Sequence, residues 1–564
     1  MYSTFPEGFV GRSSVLTIAA ISCLLFSLSA VRLSPRMHEA FAAQETGTPQ
    51  AVPVAAFKAA QAGPLKPVSA TLSVNAGNIP RLHTSTPGTE IYTAKRGETI
   101  PAVARQYLSR TAFLTSAELA EAIRATNGKS NANFLKAGEQ ITIPGILAAP
   151  IAEQTVPVAK DFEVRAVYLT GLMAASDHGL RIIRHWREVG GNAVVFDIKD
   201  SDGSVNIAFE HPLLGKHPVY IHDLPKFVHF LHSQNMHAIA RIAIFRDERL
   251  VVEHPELAVQ SKKTKQPWRE NGKLVWTDPS QPKVQDYDIA LAKFVAQSGA
   301  DEIQFDYVRF PAEGDQKDAA FDYESKPSAG EPCGDGPCGD GRPARAAEAK
   351  RGGTSAQAGS SKPDAGSPQR SDVITGFLKK AYAELHPTGV LLSLDVFGVM
   401  AWQRPVDLAH TGQDIVGMAK YCDVLSPMIY PSHFFGMDHI EHPGDAPEHF
   451  IGESMERFEL ITKGSGVVIR PWLQAFRWRT KSYSPEYIKV QVATAKEKGG
   501  IGFLFWNAAN DYSKPYEAMP EMKAANIKEG SKENPKYFRG DELPGATIRA
   551  ALTPASPPSQ EAPR

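Results

Sequence analysis

Apolar and polar positions follow two different periods along most of this chain. From about residue 162 onward, short β-branched apolar runs alternate with longer segments whose apolar residues recur every three to four positions. Runs that are apolar on both faces are typical of parallel strands covered by helices, and the longer segments are typical of amphipathic helices. The predicted strands are residues 164–170, 193–199, 237–245, 302–307, 390–397, 424–430, 467–475 and 501–506.

Helical patterns separate most of these strands. They cover residues 180–189, 224–233, 284–297, 373–385 and 485–498. Eight strands alternating with helices predict a (β/α)8 TIM barrel, here over residues 160–528. A doubly wound sheet is the alternative, but no glycine-rich phosphate fingerprint follows the first strand, so the barrel is favoured.

A smaller pattern precedes the barrel. Residues 91–145 predict the order strand, helix, helix, strand, and the second helix ends at Asn127-Gly128. The segments YTAKRGETI, VARQY, ATNG and LKAGEQITIPG resemble a LysM domain. This resemblance implies binding of N-acetylglucosamine-containing glycans such as peptidoglycan. A small structural or protein-contact domain is the alternative.

The remaining segments are predicted to lie outside the two folded units. Residues 1–43 contain an apolar run at 15–31 and small residues at 40–43, which predicts a signal peptide or a single membrane anchor. A Pro/Ala-rich linker (44–90), a disordered insertion (about 313–370) and a disordered tail (529–564) are also predicted. We therefore expect a periplasmic, cell-envelope or secreted protein.

Composition excludes several classes of protein. The 564 residues include 61 Lys+Arg and 62 Asp+Glu, a balance that argues against a nucleic-acid partner. Four cysteines are too few for a disulfide scaffold, and Cys333 and Cys338 fall in the predicted insertion. The first predicted strand carries no H-x-H pair, and H-E-x-x-H and G-x-S-x-G motifs are missing from the chain. We therefore expect neither a metal nor a cofactor.

Candidate chemistry lies at the carboxyl ends of the strands, where TIM barrels carry their active sites. Asp306 ends the fourth predicted strand and Asp395 lies near the end of the fifth. Neighbouring strands are about 4.8 Å apart, so these two side chains can reach opposite sides of a bound sugar. Glycoside hydrolysis needs one carboxyl as proton donor and one as nucleophile or base. Asp306 and Asp395 are therefore the predicted catalytic pair.

Other strand ends supply predicted substrate-binding residues. Lys199 and Arg309 are expected to keep one carboxylate ionised, and Trp478 and Trp506 to stack on sugar rings. Asp197 shares a face with Lys199, and the two could instead simply pair inside the barrel. The full set is Asp197, Lys199, Arg246, Arg309, Tyr430, Gln474, Trp478, Trp506 and Asn507.

The segments NAVVFDIKDSDG, EIQFDYVRFP, SPMIYPSHF and GFLFWNAAND resemble a bacterial family of uncharacterised glycoside-hydrolase-type TIM barrels that is distantly related to alpha-amylase-type enzymes. The resemblance implies a retaining mechanism with Asp306 as nucleophile and Asp395 as general acid/base. It also implies a polysaccharide substrate. Alpha-amylase-type enzymes use a third acid on the seventh strand, where this chain offers only Gln474.

Three hypotheses follow from the sequence. The first is an exported glycoside hydrolase that cleaves a cell-surface or extracellular polysaccharide by a two-carboxylate mechanism. The second is a non-catalytic carbohydrate-binding barrel, which the missing third acid favours. The third is a structural cell-envelope protein.

Overall fold

Two antiparallel strands and two helices form the unit that precedes the barrel in the computed structural model, which describes residues 87–129, 132–325 and 369–524. Strand β1 (Gly88–Thr93) pairs with β2 (Gln140–Ile146), and α1 (Ile100–Tyr107) and α2 (Ser116–Thr126) lie between them in the chain. The hydroxyls of Thr99 and Thr115 accept backbone N–H groups at the starts of the two helices, as N-caps.

This small unit packs against the barrel. Arg184 donates to the Glu118 carboxylate at 2.5 Å. The buried Lys226 ammonium donates to the backbone carbonyls of Leu108, at 3.1 Å, and Phe113, at 3.4 Å. The polar contacts across this junction join α1–α2 loop residues and α2 to two helices of the barrel.

Parallel strands close the barrel, which confirms the predicted fold class. They are β3 (Val164–Leu169), β4 (Ala193–Lys199), β5 (His237–Ala243), β6 (Glu302–Asp306), β7 (Leu391–Phe397), β8 (Val424–Ile429), β9 (Val468–Ile469), β10 (Trp472–Gln474) and β11 (Gly502–Trp506). Neighbours along the chain pair in register, and β11 pairs with β3 to complete the ring.

Helices cover the outside of the strands. The longer ones are α3 (Asp177–Val189), α4 (Leu224–Ser233), α5 (Pro282–Gln297), α6 (Arg370–Leu385), α7 (Pro447–Ile461), α8 (Pro485–Glu497) and α9 (Ser513–Ala524). Shorter helices span Gly171–Ala174, Glu248–Glu253, Pro405–Thr411 and Ile415–Met418. In the described ranges, no helix has the length and apolar character needed to cross a membrane.

Strand alternation divides the core into two parts. In β3, Ala166 and Tyr168 face the barrel interior, whereas Val167 and Leu169 pack under the helices. Part of the interior is polar, because Arg470 and Glu302 form a fully buried ion pair at 2.8 Å. Polar side chains at the inward-facing positions of the strands therefore point toward the barrel axis.

The predicted seventh strand, 467–475, is broken in two. Pro471 lies between β9 and β10, and proline has no backbone N–H to donate to a neighbouring strand. The chain nevertheless continues along β8, because Val424 pairs with Val468 and Met428 with Trp472.

The first part of the predicted insertion is among the described residues and is ordered. Residues 313–325 are described, and the two-residue strand Ala319–Ala320 pairs with Gln260–Ser261. Phe321 is buried in the barrel's core. The rest of that prediction up to residue 368, including Cys333 and Cys338, lies outside the described residues. So do the predicted signal or anchor, nearly all of the predicted linker and the predicted tail.

Candidate active site

Three carboxyl groups surround one guanidinium at the carboxyl ends of β4 to β7. Arg241 of β5 donates through Nη1 to Asp197 Oδ1 at 2.5 Å, and through Nη2 to Asp306 Oδ2 at 2.6 Å. Its Nε lies 3.9 Å from Asp395 Oδ2. The register explains this arrangement, because Asp197 is paired with Arg241, and Arg241 with Gln304, two residues before Asp306. The positive charge of Arg241 is therefore shared by three carboxyl groups.

Asp306 is the carboxylate that accepts the most hydrogen bonds from Arg241. It accepts Arg241 Nη2–H at 2.6 Å and Nε–H at 3.2 Å, and the Tyr307 backbone N–H at 2.6 Å. Tyr307 has a left-handed backbone with φ of 54°, which is unusual for an aromatic residue. This turn ends the strand and directs the Tyr307 ring into the neighbouring cleft.

Asp395 has the opposite character. It is 2% exposed, and its Oδ1 accepts the Trp472 indole N–H at 2.7 Å. Burial, together with the negative charge of Asp306, raises the pKa of Asp395 well above its usual range, although Arg241 and Trp472 oppose that rise. Burial thus favours the protonated form of Asp395, whereas Asp306 accepts two hydrogen bonds from Arg241, so the two neighbouring carboxyl groups lie in different environments.

Asp197 is completely buried between Arg241 and Tyr168, whose hydroxyl donates to Asp197 Oδ2 at 2.5 Å. Burial is the main cause that raises the pKa of Asp197 to about 7, with Arg241 opposing it. The sequence predicted a substrate-binding role for Asp197. Its position instead lets it hold the Arg241 guanidinium against Asp306.

A cleft of about 230 Å³ opens beside this cluster. Its walls come from the loops after β5 to β8, and they are rich in aromatic and charged side chains. Among the lining residues are Arg246, Glu270, Trp276, Tyr307, Arg309, Glu313, Phe397, Tyr430 and His433. The predicted residues Arg246, Arg309 and Tyr430 are thus brought together in one cleft. Trp276, for which no substrate-binding role was predicted, also lines it.

Two glutamates lie on one wall of this cleft. Glu270 accepts the Trp276 indole N–H at 2.6 Å, and Glu313 accepts the Asn271 amide N–H at 3.0 Å. Burial, followed by the negative charge of Glu270, raises the pKa of Glu313 to about 7. The cleft therefore holds a second pair of interacting acids, in addition to the aspartates.

Aromatic side chains at the ends of the later strands lie next to one another and extend the site. Trp506 lies 5.9 Å from Tyr430 and 6.4 Å from Tyr168, between ring centroids. Trp478 lies 4.7 Å from the His433 ring. Trp478 and Trp506 are both partly exposed, so each has a surface on which a sugar ring can stack.

The structure places Lys199 away from the site, which corrects its predicted role. A bulge follows Asp197 in β4, and it directs Lys199 toward the helices. The Lys199 ammonium is fully buried and lies 2.8 Å from both Asp247 and Asp288. A lysine with these partners stabilises the core and does not contact a ligand.

Gln474 and Asn507 also have structural partners. Gln474 Nε2 donates to the carbonyls of Phe476 and Trp478, and its Oε1 accepts the Ser432 backbone N–H. Asn507 Nδ2 donates to the Ala475 carbonyl at 2.6 Å, and its Oδ1 accepts a backbone N–H in its own loop. Both amides brace the loops around the aromatic wall, whereas the sequence predicted that they bind substrate.

The sequence reasoning missed several residues of the site. Arg241, Tyr168 and Trp472 organise the aspartates, and Glu270 and Glu313 line the cleft. Arg241 lies in the third predicted strand, but no role was predicted for it, because the register that places it level with Asp197 depends on strand pairing. The glutamates lie in loops, where the sequence has no periodicity from which the direction of a side chain could be predicted. Within the described ranges, no group of three or more His, Cys, Asp or Glu side chains is arranged to hold a metal ion.

These features define a (β/α)8 barrel with a cluster of acids at the carboxyl ends of its strands. The chain belongs to the family described as "Putative glycosyl hydrolase domain", whose model matches residues 166–512. No curated protein sequence matches the chain.

Several solved structures are similar to the chain. A hypothetical protein from Ruminiclostridium thermocellum ATCC 27405 is 29% identical, with a TM-score of 0.31, over 41% of this chain and 97% of its own. The glycoside hydrolase domain of PgaB (BpsB) from Bordetella bronchiseptica is 12% identical, with a TM-score of 0.43, over 65% and 100%. The spore cortex-lytic enzyme SleL from Bacillus megaterium QM B1551 is 12% identical, with a TM-score of 0.34, over 78% and 87%.

Proposed function

We propose that the barrel is a glycoside hydrolase that cleaves a polysaccharide by a two-carboxylate mechanism. The observation that carries this proposal is the contrast between neighbouring aspartates. Asp306 is paired with Arg241, whereas Asp395 lies buried beside it with a raised pKa. Asp306 acts as nucleophile or base, and Asp395 donates a proton to the oxygen of the leaving sugar.

The surroundings support this division of roles. Arg241 neutralises part of the charge on Asp306, and Asp197 fixes the guanidinium from its other side. Trp478 and Trp506 provide the stacking surfaces along which a saccharide extends, and the buried Tyr430 ring packs against Trp506. Family membership is consistent with the same reaction class.

A second candidate function is a carbohydrate-binding barrel without turnover. Asp306 and Asp395 are 7% and 2% exposed, and neither is among the residues that line the cleft. On this alternative, the aspartates hold the barrel mouth together and the cleft only binds the saccharide.

Reducing-end release from a panel of polysaccharides, including peptidoglycan and amino-sugar polymers, separates these functions. Asp306→Asn and Asp395→Asn are each expected to lower turnover by a factor of about 10³ or more, since each removes an acid/base or nucleophilic group. Asp286→Asn, on the outer helix α5, is the matched control and should keep full turnover. Glycan binding without release by the unaltered protein would establish the binding barrel instead.

We also propose that the small unit binds N-acetylglucosamine-containing glycans and that the chain is exported to the periplasm, cell envelope or medium. The β-α-α-β order of the unit supports the first proposal, and the apolar run at residues 15–31 supports the second. Failure of the full chain to sediment with insoluble peptidoglycan or chitin would contradict the first. Recovery of the chain only from the cytoplasmic fraction would contradict the second.

A further inference from the structure

Two guanidinium groups line the cleft, and both lie close to the same aromatic ring. The Cζ atoms of Arg246 and Arg309 lie 5.3 and 5.6 Å from the centre of the Tyr307 ring. Arg309 also lies 4.7 Å from the Trp276 ring and 4.5 Å from the Phe397 ring. Contact with aromatic faces fixes a guanidinium plane in space, because the cation is attracted to the negative face of each ring.

These arginines keep hydrogen-bonding capacity for a ligand. Each guanidinium carries five N–H donors. Arg246 donates to the Ser201 carbonyl at 3.4 Å, and Arg309 donates to the Phe310 carbonyl at 3.1 Å. These two contacts use a minority of the ten donors.

The acids in the same cleft hydrogen-bond to other partners, although Glu270 and Glu313 lie close enough to Arg309 to interact with it electrostatically. Asp407 pairs with Arg404 at 2.7 Å, Glu270 accepts from the Trp276 indole, and Glu313 accepts from the Asn271 amide. Across the part of the chain that the structure describes, no carboxylate lies within 4.0 Å of the Arg246 or Arg309 nitrogens. The two positive charges therefore face the cleft without a direct ion pair.

We propose that Arg246 and Arg309 form a subsite for a sugar residue that carries a carboxylate, so that the substrate is an acidic polysaccharide. This inference rests on the proposed function and names its substrate class. The planar fork of arginine matches a carboxylate with two parallel hydrogen bonds, which a neutral sugar cannot reproduce. Trp276 and Tyr307 supply apolar faces for the ring of the same sugar.

Titration calorimetry with the full chain tests this subsite on matched tetrasaccharides. The acidic probes are β-1,4-glucuronan and α-1,4-galacturonan oligomers, and the neutral probes are the corresponding glucan and galactan oligomers. We expect at least one acidic probe to bind about tenfold or more tighter than its neutral counterpart, and its affinity to fall as salt is added. Equal affinities within both pairs, or no binding of either acidic probe, would overturn the proposal. A sulfated glucan oligomer that binds where both uronate probes fail would also overturn it.

Variants assign the preference to the two arginines. Arg246→Gln and Arg309→Gln are each expected to reduce affinity for the acidic probe by about tenfold or more and to leave the neutral probe nearly unchanged. Arg269→Gln is the control, since Arg269 is exposed next to Glu270 and does not line the cleft. If Arg309→Gln does not fold, Arg246→Gln carries the test. A preserved acidic preference in a folded Arg246→Gln variant counts against the subsite.

The two proposals fail in different ways. Tight binding of an acidic probe without cleavage of any polysaccharide would refute the hydrolase and keep the subsite. Cleavage confined to neutral polysaccharides would keep the hydrolase and refute the subsite.

Discussion

A single hydrogen bond modulates the pKa of one acid in the barrel mouth. Trp472 donates its indole N–H to Asp395, and this contact opposes the rise in the pKa of Asp395 that burial and Asp306 cause. Donation to a carboxylate stabilises its charged form. Trp472 is therefore a positioning residue whose loss changes the acidity of its neighbour.

Trp472→Phe is expected to move the basic limb of the pH profile of kcat/KM upward by about one pH unit, together with a loss of turnover. The sign follows because the variant loses a bond that favours charged Asp395, so the acid keeps its proton to higher pH. Trp186→Phe is the matched control, since Trp186 is also buried and donates to the Arg165 carbonyl at 3.0 Å. A basic limb that stays in place would contradict the role given to Asp395.

Residue-scale prediction succeeded where a strand sets the direction of a side chain. Asp306 and Asp395 were identified from their positions at strand ends, and the structure places both beside Arg241. Their catalytic roles stay predictions. Lys199 was misplaced because one extra residue in β4 changed the side that it faces, and an irregularity of that kind has no signature in the alternation of apolar residues.

At the scale of elements, the bulge in β4 creates a buried charge cluster between the strands and α5. Lys199 contacts Asp247 and Asp288 there, and burial raises the pKa of Asp288 to about 7 although Lys199 opposes the rise. Among the described side chains, Lys199 is the only positively charged group within ion-pair distance of Asp247 and Asp288.

Lys199→Met is expected to lower the free energy of unfolding by about 3–5 kcal/mol, because it leaves buried carboxyl groups without their cation. Urea unfolding followed by circular dichroism measures the change. Lys380→Met is the control, since Lys380 pairs with Asp286 on an exposed surface and should cost less than about 1 kcal/mol. Equal stability of the two variants would show that the buried cluster contributes nothing.

On the scale of the whole molecule, contacts between a carboxylate and two histidines attach the segment between the small unit and the barrel to the barrel. Glu153 lies 2.6 Å from His229 Nδ1 and 3.4 Å from His232 Nδ1. Burial alone would raise the pKa of Glu153, but its hydrogen bonds with the two histidines outweigh burial and lower the pKa to about 2. Thr155 and Val156 add hydrogen bonds to the loop before β6.

The Glu153 contact predicts acid sensitivity. A depressed pKa stabilises the fold fully above the ordinary value of 4.5, and this contribution is lost as the pH falls through that value toward about 2. Glu153→Gln is expected to be less stable than the unaltered protein by about 2–3 kcal/mol at pH 7, and the difference should shrink toward pH 2. Urea unfolding at several pH values measures it.

The comparison needs one control. Glu453→Gln removes an exposed carboxylate that pairs with Arg457 on the same helix, and it should change stability by less than about 1 kcal/mol. A difference between Glu153→Gln and the unaltered protein that is constant from pH 7 to pH 2 would rule out the proposed charge contact.

The sequence by itself determined the barrel, the order of elements in the small unit and the placement of two aspartates at neighbouring strand ends. These features depend on periodic patterns, and a periodic pattern is a local property of the chain. Only the tertiary structure decided which charged groups meet. Arg241 reaches acids on both neighbouring strands, and Glu270 and Glu313 come together from loops 43 positions apart. Such contacts depend on closure of the barrel and on loop conformation, neither of which a local period encodes.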